Sequence, residues 1–298
     1  MLNAPVCPVS CRFSEDWDLF SEANVVLFHV PNYFGSLPSH KPPGQSWGAF
    51  SLEPLCMYPR LEAIVNSRVV DFEMSYRLRS AVWAPYVSGK ETSLARLSKP
   101  VNMAEKNATA LVAVMISNCG ARNNRLEYLD ELMKHVSVHS YGACRQNIRD
   151  PSNKKDGKSK LLLLARYKFY LAFENCNVED YVSEKLFDGF FAGTVPIYMG
   201  APNARRFLPA PNSALFTDDF DSPQHLARHL LHLDANPQEY EALVAWRQRP
   251  FQPSFDDLTS ISKLDSRCRL CIWTHRHPPF SNQELDMYPL SPGSSTLI

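Results

Sequence analysis

The sequence predicts an α/β protein built on parallel β-sheets. Two strand–helix–strand units carry this prediction. In the first, the buried strand "ALVAVMISNCG" (residues 110–120) precedes the amphipathic helix "ARNNRLEYLDELMKHV" and the strand "VSVHSYG". In the second, the apolar strand 168–173 and the strand "TVPIYMG" enclose a helix-like stretch. Continuous apolar strands alternating with helices are typical of a sheet whose strands are parallel and covered on both faces.

The remaining segments define the predicted domains. The chain before residue 106 is irregular and rich in proline and aromatics, with a strand entering a loop at 24–34 and strand edges in "VVDFEMSY" and "SAVWAPY". Farther on, "SPQHLARHLLHLDANPQEYEALVAWRQ" predicts two helices that are interrupted at "ANP". We therefore predict a first domain over 1–106, a second over 107–277, and a mobile, proline- and serine-rich tail over 278–298.

Composition excludes several classes of protein. The chain has 298 residues, is 45% hydrophobic and 21% charged, and carries 31 basic and 31 acidic side chains. These values are normal for a globular protein and do not favour general binding to nucleic acid or acidic membranes. No apolar run approaches the roughly 18 residues of a membrane span. The start lacks the pattern of a signal peptide. As written, we expect a soluble chain without a targeting segment.

The cysteines leave two interpretations open. Two pairs are closely spaced, in "CPVSC" near the start and "CRLC" near the end. They could form a four-thiolate zinc site or a pair of disulfides joining the two ends of the chain. Because zinc ribbons usually bring their ligand pairs closer together in sequence, disulfides are favoured. The glycosylation sequon "NAT" at Asn107 points in the same direction.

A polar stretch between the two strands of the second unit predicts a nucleotide site. We expect a helix from Tyr181 to Ala192, with Asp180 as N-cap and Gly193 as terminator. Glu184 and Lys185 then lie in its first turn, at the carboxyl end of a parallel sheet, where ligands bind. A helix N-terminus and a lysine favour phosphate, and a glutamate can bind a ribose diol. The GxGxxG and GxxxxGK[ST] fingerprints are absent. The alternative is a favourable first-turn acid beside a surface lysine.

Two further polar stretches are interpreted as structural. "DPSNKKDGKSK" (residues 150–160) predicts a solvated basic loop. "FTDDF" predicts a cap or turn and not a metal-binding acidic motif. We therefore predict no bound metal.

Extended similarity identifies a family. "FYLAFENCNVEDYVSEKLFDGFFAGTVPIYMGAPN" resembles the signature of the α1,3-fucosyltransferases, F-x-L-x-F-E-N, then D-Y-[VI]-[TS]-E-K, then V-P-[VI]. "ISNCGARNNRLEYLDEL", "HSYGACRQN" and "CRLCIWT" resemble the plant and invertebrate branch that fucosylates the N-glycan core. "WGAFSLEPLCMYP" and "FEMSYRLRSAVWAPY" resemble the acceptor-side motifs. The resemblance covers about Cys7 to Trp273.

This resemblance implies a GT-B fold, with two Rossmann-like domains facing across a cleft. It implies GDP-fucose as co-substrate, inverting transfer to a GlcNAc hydroxyl of an N-glycan or glycoprotein, and no tightly bound cofactor, a divalent metal being at most stimulatory. Glu53 matches the position of the base that deprotonates the acceptor. The positions that match donor-binding residues are Arg125 (a phosphate clamp), Asn175, Tyr181, Glu184 (ribose) and Lys185 (diphosphate). Glu174 is the rival carboxylate to Glu53; because it ends a donor-side strand, we assign it to donor binding, with a contact to the sugar, or to the structure of the loop.

The sequence departs from the family on the acceptor side, where Pro54 replaces a serine and Ala81 an acid. A Lewis-type enzyme acting on outer GlcNAc, a protein fucosyltransferase, a catalytically silent glycan- or nucleotide-binding module and a zinc-stapled structural protein therefore remain alternatives. Family members are anchored in the Golgi, and we expect the Golgi lumen although the given chain contains no anchor. For a luminal chain we expect Cys7 and Cys11 to pair with Cys268 and Cys271, and Cys119 to pair with Cys144.

Overall fold

The structure, a computed structural model, describes residues 7–32, 37–106, 108–151 and 156–277, and the backbone of 286–288. Its strands are β1 (Arg12–Phe13), β2 (Val25–His29), β3 (Ser46–Ser51), β4 (Phe72–Ser75), β5 (Val82–Trp83), β6 (Val112–Val114), β7 (Val138–Ser140), β8 (Phe169–Phe173), β9 (Val195–Met199), β10 (Leu215–Phe216) and β11 (Asp286–Tyr288). Its α-helices are α1 (Arg60–Asn66), α2 (Glu91–Leu97), α3 (Arg125–Leu132), α4 (Gly157–Leu164), α5 (Glu184–Ala192), α6 (Pro223–Ala235), α7 (Pro237–Val244), α8 (Pro253–Ile261) and α9 (Ser266–Arg276). Short 3-10 helices span Trp17–Glu22, Val30–Asn32, Met103–Glu105, Ala204–Phe207, Thr217–Asp219 and Ala245–Gln248.

The chain divides into two compact units. Unit 1 comprises Met1–Pro85 and Ser262–Ile298, and unit 2 comprises Tyr86–Ile261. The boundary predicted at residue 106 therefore falls inside unit 2, and α9, predicted for the second domain, belongs to unit 1. The reason is that α9 packs on the first sheet, where the ring centres of Trp273 and Phe72 lie 4.1 Å apart. Of the predicted tail, residues 286–288 form β11, while 278–285 and 289–298 lie outside the described residues.

Unit 1 contains a parallel six-stranded sheet with the order β1-β11-β2-β3-β4-β5. The strand predicted to enter a loop within 24–34 is β2, and the strand edges predicted in 69–76 and 80–86 contain β4 and β5. The segment predicted as irregular also contains β3. This strand is buried on both faces, with Trp47 on the side of α1 and Phe50 on the side of α9. A side chain at Gly48 would collide with Phe72 and Leu27. The sequence pattern missed β3 because its apolar residues are few and are interrupted by this glycine.

Unit 2 contains a parallel five-stranded sheet with the order β10-β9-β8-β6-β7. Both predicted strand–helix–strand units and the helix break at "ANP" are confirmed. All residues of β8 and β9 are buried, and the strands pair from Phe169 and Val195 to Phe173 and Met199. Their carboxyl ends therefore stop at the same edge of the sheet. "FTDDF" forms a turn of 3-10 helix, as predicted.

Six of the cysteines form the predicted disulfides. Unit 1 contains Cys7–Cys268 and Cys11–Cys271, and unit 2 contains Cys119–Cys144. His275 lies beside Cys11 and Cys271, but these two sulfurs are bonded to each other and supply no thiolate for a metal. The disulfide interpretation of the two spaced pairs is therefore confirmed over the zinc site. The sequon at Asn107 lies outside the described residues.

Among the described residues, no helix combines the length and the hydropathy that are needed to cross a membrane.

Candidate functional site

The connection between β8 and α5 is organised around a buried carboxylate. Glu174 follows β8 directly, and its N–H still donates to the carbonyl of Met199 on β9, at 2.8 Å. The side chain is fully buried. Its two oxygens accept the N–H of Ser183 at 2.8 Å and the Ser183 hydroxyl at 2.7 Å, and one lies 3.2 Å from Lys185 Nζ. Glu174 therefore ties the end of β8 to the start of α5.

The start of α5 differs from the prediction. The helix begins at Glu184, and its N-cap is Ser183, whose hydroxyl accepts the N–H of Lys185. Asp180, the predicted cap, has a left-handed backbone with φ of 65° and pairs with Asn203 at 2.7 Å. The prediction was wrong because the helix begins three residues later than expected, and the Asp180 carboxylate pairs with Asn203 instead of capping it. The end at Gly193, with φ of 71°, is confirmed.

Lys185 and Glu184 lie together in the first turn of α5. Lys185 Nζ is 2.8 Å from Ser183 Oγ and 3.1 Å from Glu184 Oε1. Burial alone would lower the pKa of Lys185, but Glu174 and Glu184 raise it overall. Lys185 likewise depresses the pKa of Glu184 against the effect of burial. At neutral pH a positive ammonium therefore stands at a helix N-terminus, the arrangement that favours an anion.

Glu174 has the opposite shift. Burial raises its pKa, although Lys185 and Ser183 act against this change. The oxygens of Glu174 are already bonded to Ser183 and Lys185. Glu174 therefore orients these two residues at the start of α5 from the buried side. A direct contact of Glu174 with a ligand, which the sequence suggested, would require these bonds to break.

Arg125 opens α3, and its guanidinium is buried. Nη1 donates to the carbonyl of Phe173 at 2.9 Å and Nη2 to that of Asn118 at 2.7 Å. Nε is buried without a hydrogen-bond partner in the described structure. Burial lowers the pKa of Arg125. In this arrangement Arg125 joins the end of β8 to the loop after β6, close to the residues of the β8–α5 connection.

Asn175 and Tyr181 lie in the same connection. Asn175 Oδ1 is buried and has no hydrogen-bond partner within the described ranges. Tyr181 is buried, and its carbonyl accepts the hydroxyl of Tyr198 at 3.1 Å. The sequence did not single out Asn123, whose amide donates to the Glu174 carbonyl at 2.9 Å and to Asn177 at 2.8 Å. Its position before α3, beside two other polar residues, was the available signal.

A cavity of about 800 Å³ opens at the carboxyl ends of β6 and β7. Gly142 is in its wall, and a side chain there would overlap the backbone of Ile116. Only glycine therefore allows the loops after β6 and β7 to cross so closely. The cavity is lined by Met115, Ser117, Tyr141, Gly142, Gln146, Arg149, Asp150, Asp156, Gly157 and Lys160.

The loop predicted at 150–160 is partly helical. Residues 152–155 lie outside the described residues, but α4 begins at Gly157 with Asp156 as its N-cap. Lys160, assigned from sequence to solvent, lines the cavity and pairs with Asp188 of α5 at 2.7 Å. The following "LLLL" was a signal that the helix could begin here.

In unit 1, Glu53 follows the carboxyl end of β3 and is half-buried. Its N–H donates to Ser51 Oγ at 3.1 Å, and the N–H of Leu55 donates to the hydroxyl of buried Tyr76 at 3.3 Å. The Pro54 carbonyl accepts two following N–H groups and begins a turn. Ala81 lines a separate cavity of about 350 Å³ in the same unit.

Comparison with known proteins places the chain in a family. The family described as "Glycosyltransferase family 10 (fucosyltransferase) C-term" matches residues 104–287, and "Fucosyltransferase, N-terminal" matches residues 3–87. The chain belongs to the family 10 fucosyltransferases. A fucosyltransferase-like protein of Arabidopsis thaliana is 38% identical over 90% of this chain. The 3-galactosyl-N-acetylglucosaminide 4-α-L-fucosyltransferase of Homo sapiens is 35% identical over 87% of it. The chain spans 48% of the Arabidopsis protein and 72% of the human one.

The fold is that of solved fucosyltransferases. A crystal structure titled as an α1,3-fucosyltransferase with GDP matches with a TM-score of 0.59 and 13% identity, over 96% of this chain and 95% of the other. This likeness confirms the α/β fold class that was predicted for this chain from its sequence.

Proposed function

We propose that this family 10 chain transfers fucose from GDP-fucose to a GlcNAc hydroxyl, with inversion at the fucose anomeric carbon. The observation that carries the proposal is the arrangement at the start of α5, where buried Glu174 holds Ser183 and Lys185. It leaves a lysine ammonium at a helix N-terminus, next to Glu184, whose side chain is half-exposed. A cavity of about 800 Å³, large enough for a nucleotide, is lined by Lys160, which pairs with Asp188 of the same helix.

On the donor side, Lys185 binds the diphosphate and Glu184 accepts hydrogen bonds from the ribose hydroxyls. Two features support this assignment. A lysine at a helix N-terminus stabilises phosphate before the reaction and the leaving GDP during it. The depressed pKa of Glu184 keeps it a carboxylate, which is the acceptor form that a ribose diol requires. Asn175 and Tyr181 belong to the same donor loop. Arg125, at the start of α3, supports this loop by donating to the Phe173 carbonyl at the end of β8.

Glu53 is the proposed base. The acceptor oxygen forms a bond to the anomeric carbon, its proton passes to the Glu53 carboxylate, and the bond from that carbon to the phosphate oxygen breaks, which releases GDP. Ser51 and Tyr76 restrain the backbone on either side of Glu53, as expected for a group that must be oriented.

We propose the N-glycan core GlcNAc as the acceptor. The support is the resemblance of "HSYGACRQN" and "CRLCIWT" to the branch that acts there. A second candidate is an outer GlcNAc, because the human relative is named for activity on a 3-galactosyl-N-acetylglucosaminide. The proposed compartment is the Golgi lumen, supported by disulfides in both units, since such bonds persist in the secretory pathway.

The test is transfer of labelled fucose from GDP-fucose, run in parallel on a core-exposed N-glycopeptide and on free N-acetyllactosamine. Product on the glycopeptide alone supports the core acceptor, and product on lactosamine supports the second candidate. If neither acceptor is fucosylated while GDP still binds, the chain is a nucleotide-binding module and the proposed activity is wrong.

A further inference from the structure

Lys160 is a cation of unit 2 that the proposed donor contacts do not use. It lies in the second turn of α4 and lines the cavity at the carboxyl ends of β6 and β7. Its side chain is 23% exposed, and Nζ is 2.7 Å from Asp188 Oδ2. The ammonium also lies 5.8 Å from the ring centre of Tyr170. Lys160 is therefore held at the cavity wall and is not a freely moving surface lysine.

The ammonium retains donor capacity. A lysine ammonium has three N–H donors, and Asp188 is its hydrogen-bonding counterion within the described part of the chain. Although burial alone would lower it, Tyr170 and Asp188 raise the pKa of Lys160. Lys160 is therefore charged at neutral pH, and the remaining donors are available to an anion in the cavity.

The contact with Asp188 connects Lys160 to the start of α5. Asp188 lies one helical turn after Glu184, and Lys160 contributes to the depressed pKa of Glu184. The cavity wall and the first turn of α5 thus belong to one cluster of charges. A ligand in contact with Glu184 is within the electrostatic reach of Lys160.

The other proposed cations have their donors largely occupied. Lys185 contacts Ser183, Glu184 and Glu174, and the terminal nitrogens of Arg125 donate to two main-chain carbonyls. A diphosphate carries at least two negative charges and needs several donors. Lys160 adds a charged group with available N–H donors to the same cluster.

We propose that Lys160 binds the diphosphate of the nucleotide donor, as a further donor-binding residue that Asp188 holds in place. This inference rests on the proposed function and adds to it a second lysine on the phosphate. It predicts that replacement of Lys160 weakens binding of a nucleoside diphosphate and spares binding of the nucleoside.

The test is equilibrium binding of GDP and of guanosine to the full chain and to Lys160→Gln. We expect the GDP affinity to fall about tenfold, since one charge-assisted hydrogen bond is lost, and the guanosine affinity to stay within about twofold. Lys158→Gln, an exposed position on the same helix, is the matched control and should change neither affinity. Lys160→Arg keeps the charge and should retain most of the GDP affinity. Thermal unfolding checks that each variant is folded.

Unchanged GDP binding in folded Lys160→Gln would overturn the inference, as would an equal loss for GDP and guanosine, which indicates a structural role. If Lys160→Gln does not fold, the decision rests on Lys160→Arg. In that variant, an equal loss of affinity for GDP and for guanosine would again overturn the inference. The proposed function fails differently: either the unmodified chain does not bind GDP, or it binds GDP and fucosylates neither acceptor, and both results are obtained without any Lys160 variant.

Discussion

Glu174 accepts both the backbone N–H and the hydroxyl of Ser183, at 2.8 and 2.7 Å, with its carboxylate fully buried. These two bonds join the first residue after β8 to the N-cap of α5. A buried carboxylate with two donors and a lysine counterion is costly to disturb, since any replacement leaves at least one buried group without a partner.

Glu174→Gln should therefore destabilise unit 2 by about 3 kcal/mol, because a neutral amide leaves Lys185 without its buried counterion and places N–H groups opposite donors. Chemical denaturation measures this loss. Glu184→Gln is the matched control, since the Glu184 side chain is 49% exposed, and it should change stability by less than about 0.5 kcal/mol. Equal effects of the two variants would show that Glu174 does not hold the start of α5.

The losses of stability caused by removing the two disulfides of unit 1 should be strongly non-additive. Cys7–Cys268 and Cys11–Cys271 close loops of 261 and 260 residues in sequence separation. With one bridge intact, the second closes only a short additional loop, so replacing either pair by alanine should cost roughly 2 kcal/mol. Replacing both pairs should cost clearly more than the sum of the two single losses, because the long loop then opens.

Denaturation of unit 1 measures these losses, with replacement of Cys119 and Cys144 in unit 2 as the control. Additive losses would contradict the loop-closure explanation.

Lys106 should make stability depend on pH near neutrality. Its ammonium donates to the carbonyls of Ala165 and Gly193, at 2.9 and 2.7 Å, which end α4 and α5. Burial and the nearby Arg247 lower the pKa of Lys106 to about 7. The unfolded chain keeps this proton to a higher pH, so the stability of the folded state should rise as pH increases above 7.

The measurement compares the melting temperatures of the unmodified chain and Lys106→Met between pH 6.5 and about 9.5, below the unperturbed lysine pKa of about 10.4. As the pH rises, the melting temperature of the unmodified chain should increase relative to that of Lys106→Met. A difference that is flat or that falls with pH would show that the two carbonyls keep Lys106 charged.

The proposed donor site was partly predictable because its residues are close in sequence. The strands β8 and β9, the end of α5 at Gly193 and the first-turn position of Glu184 and Lys185 follow from apolar runs and short-range signals. The N-cap was not predictable, because Asp180 and Ser183 are both suitable caps. Asn203, 23 residues after Asp180, pairs with it outside the helix.

Longer-range partners explain the other errors. The local sequence predicts that Lys160 is solvated, because its partner Asp188 lies on another helix. The assignment of α9 to unit 1 depends on its packing against Phe72 and on disulfides that span 260 and 261 residues, which no local pattern reveals. The pairing of these cysteines and the family were both predicted from the resemblance, and both predictions are confirmed. The roles of Glu53 and of the individual donor-binding residues stay predictions.

The most direct test of the central claim is the affinity of GDP for the unmodified chain, Lys185→Ala and Glu184→Ala, measured by calorimetry with Lys99→Ala as an exposed control. If the start of α5 binds the donor, GDP binds the unmodified chain and the control alike, and each α5 variant loses about tenfold or more in affinity. Binding of GDP with the same affinity to all four proteins would contradict the account.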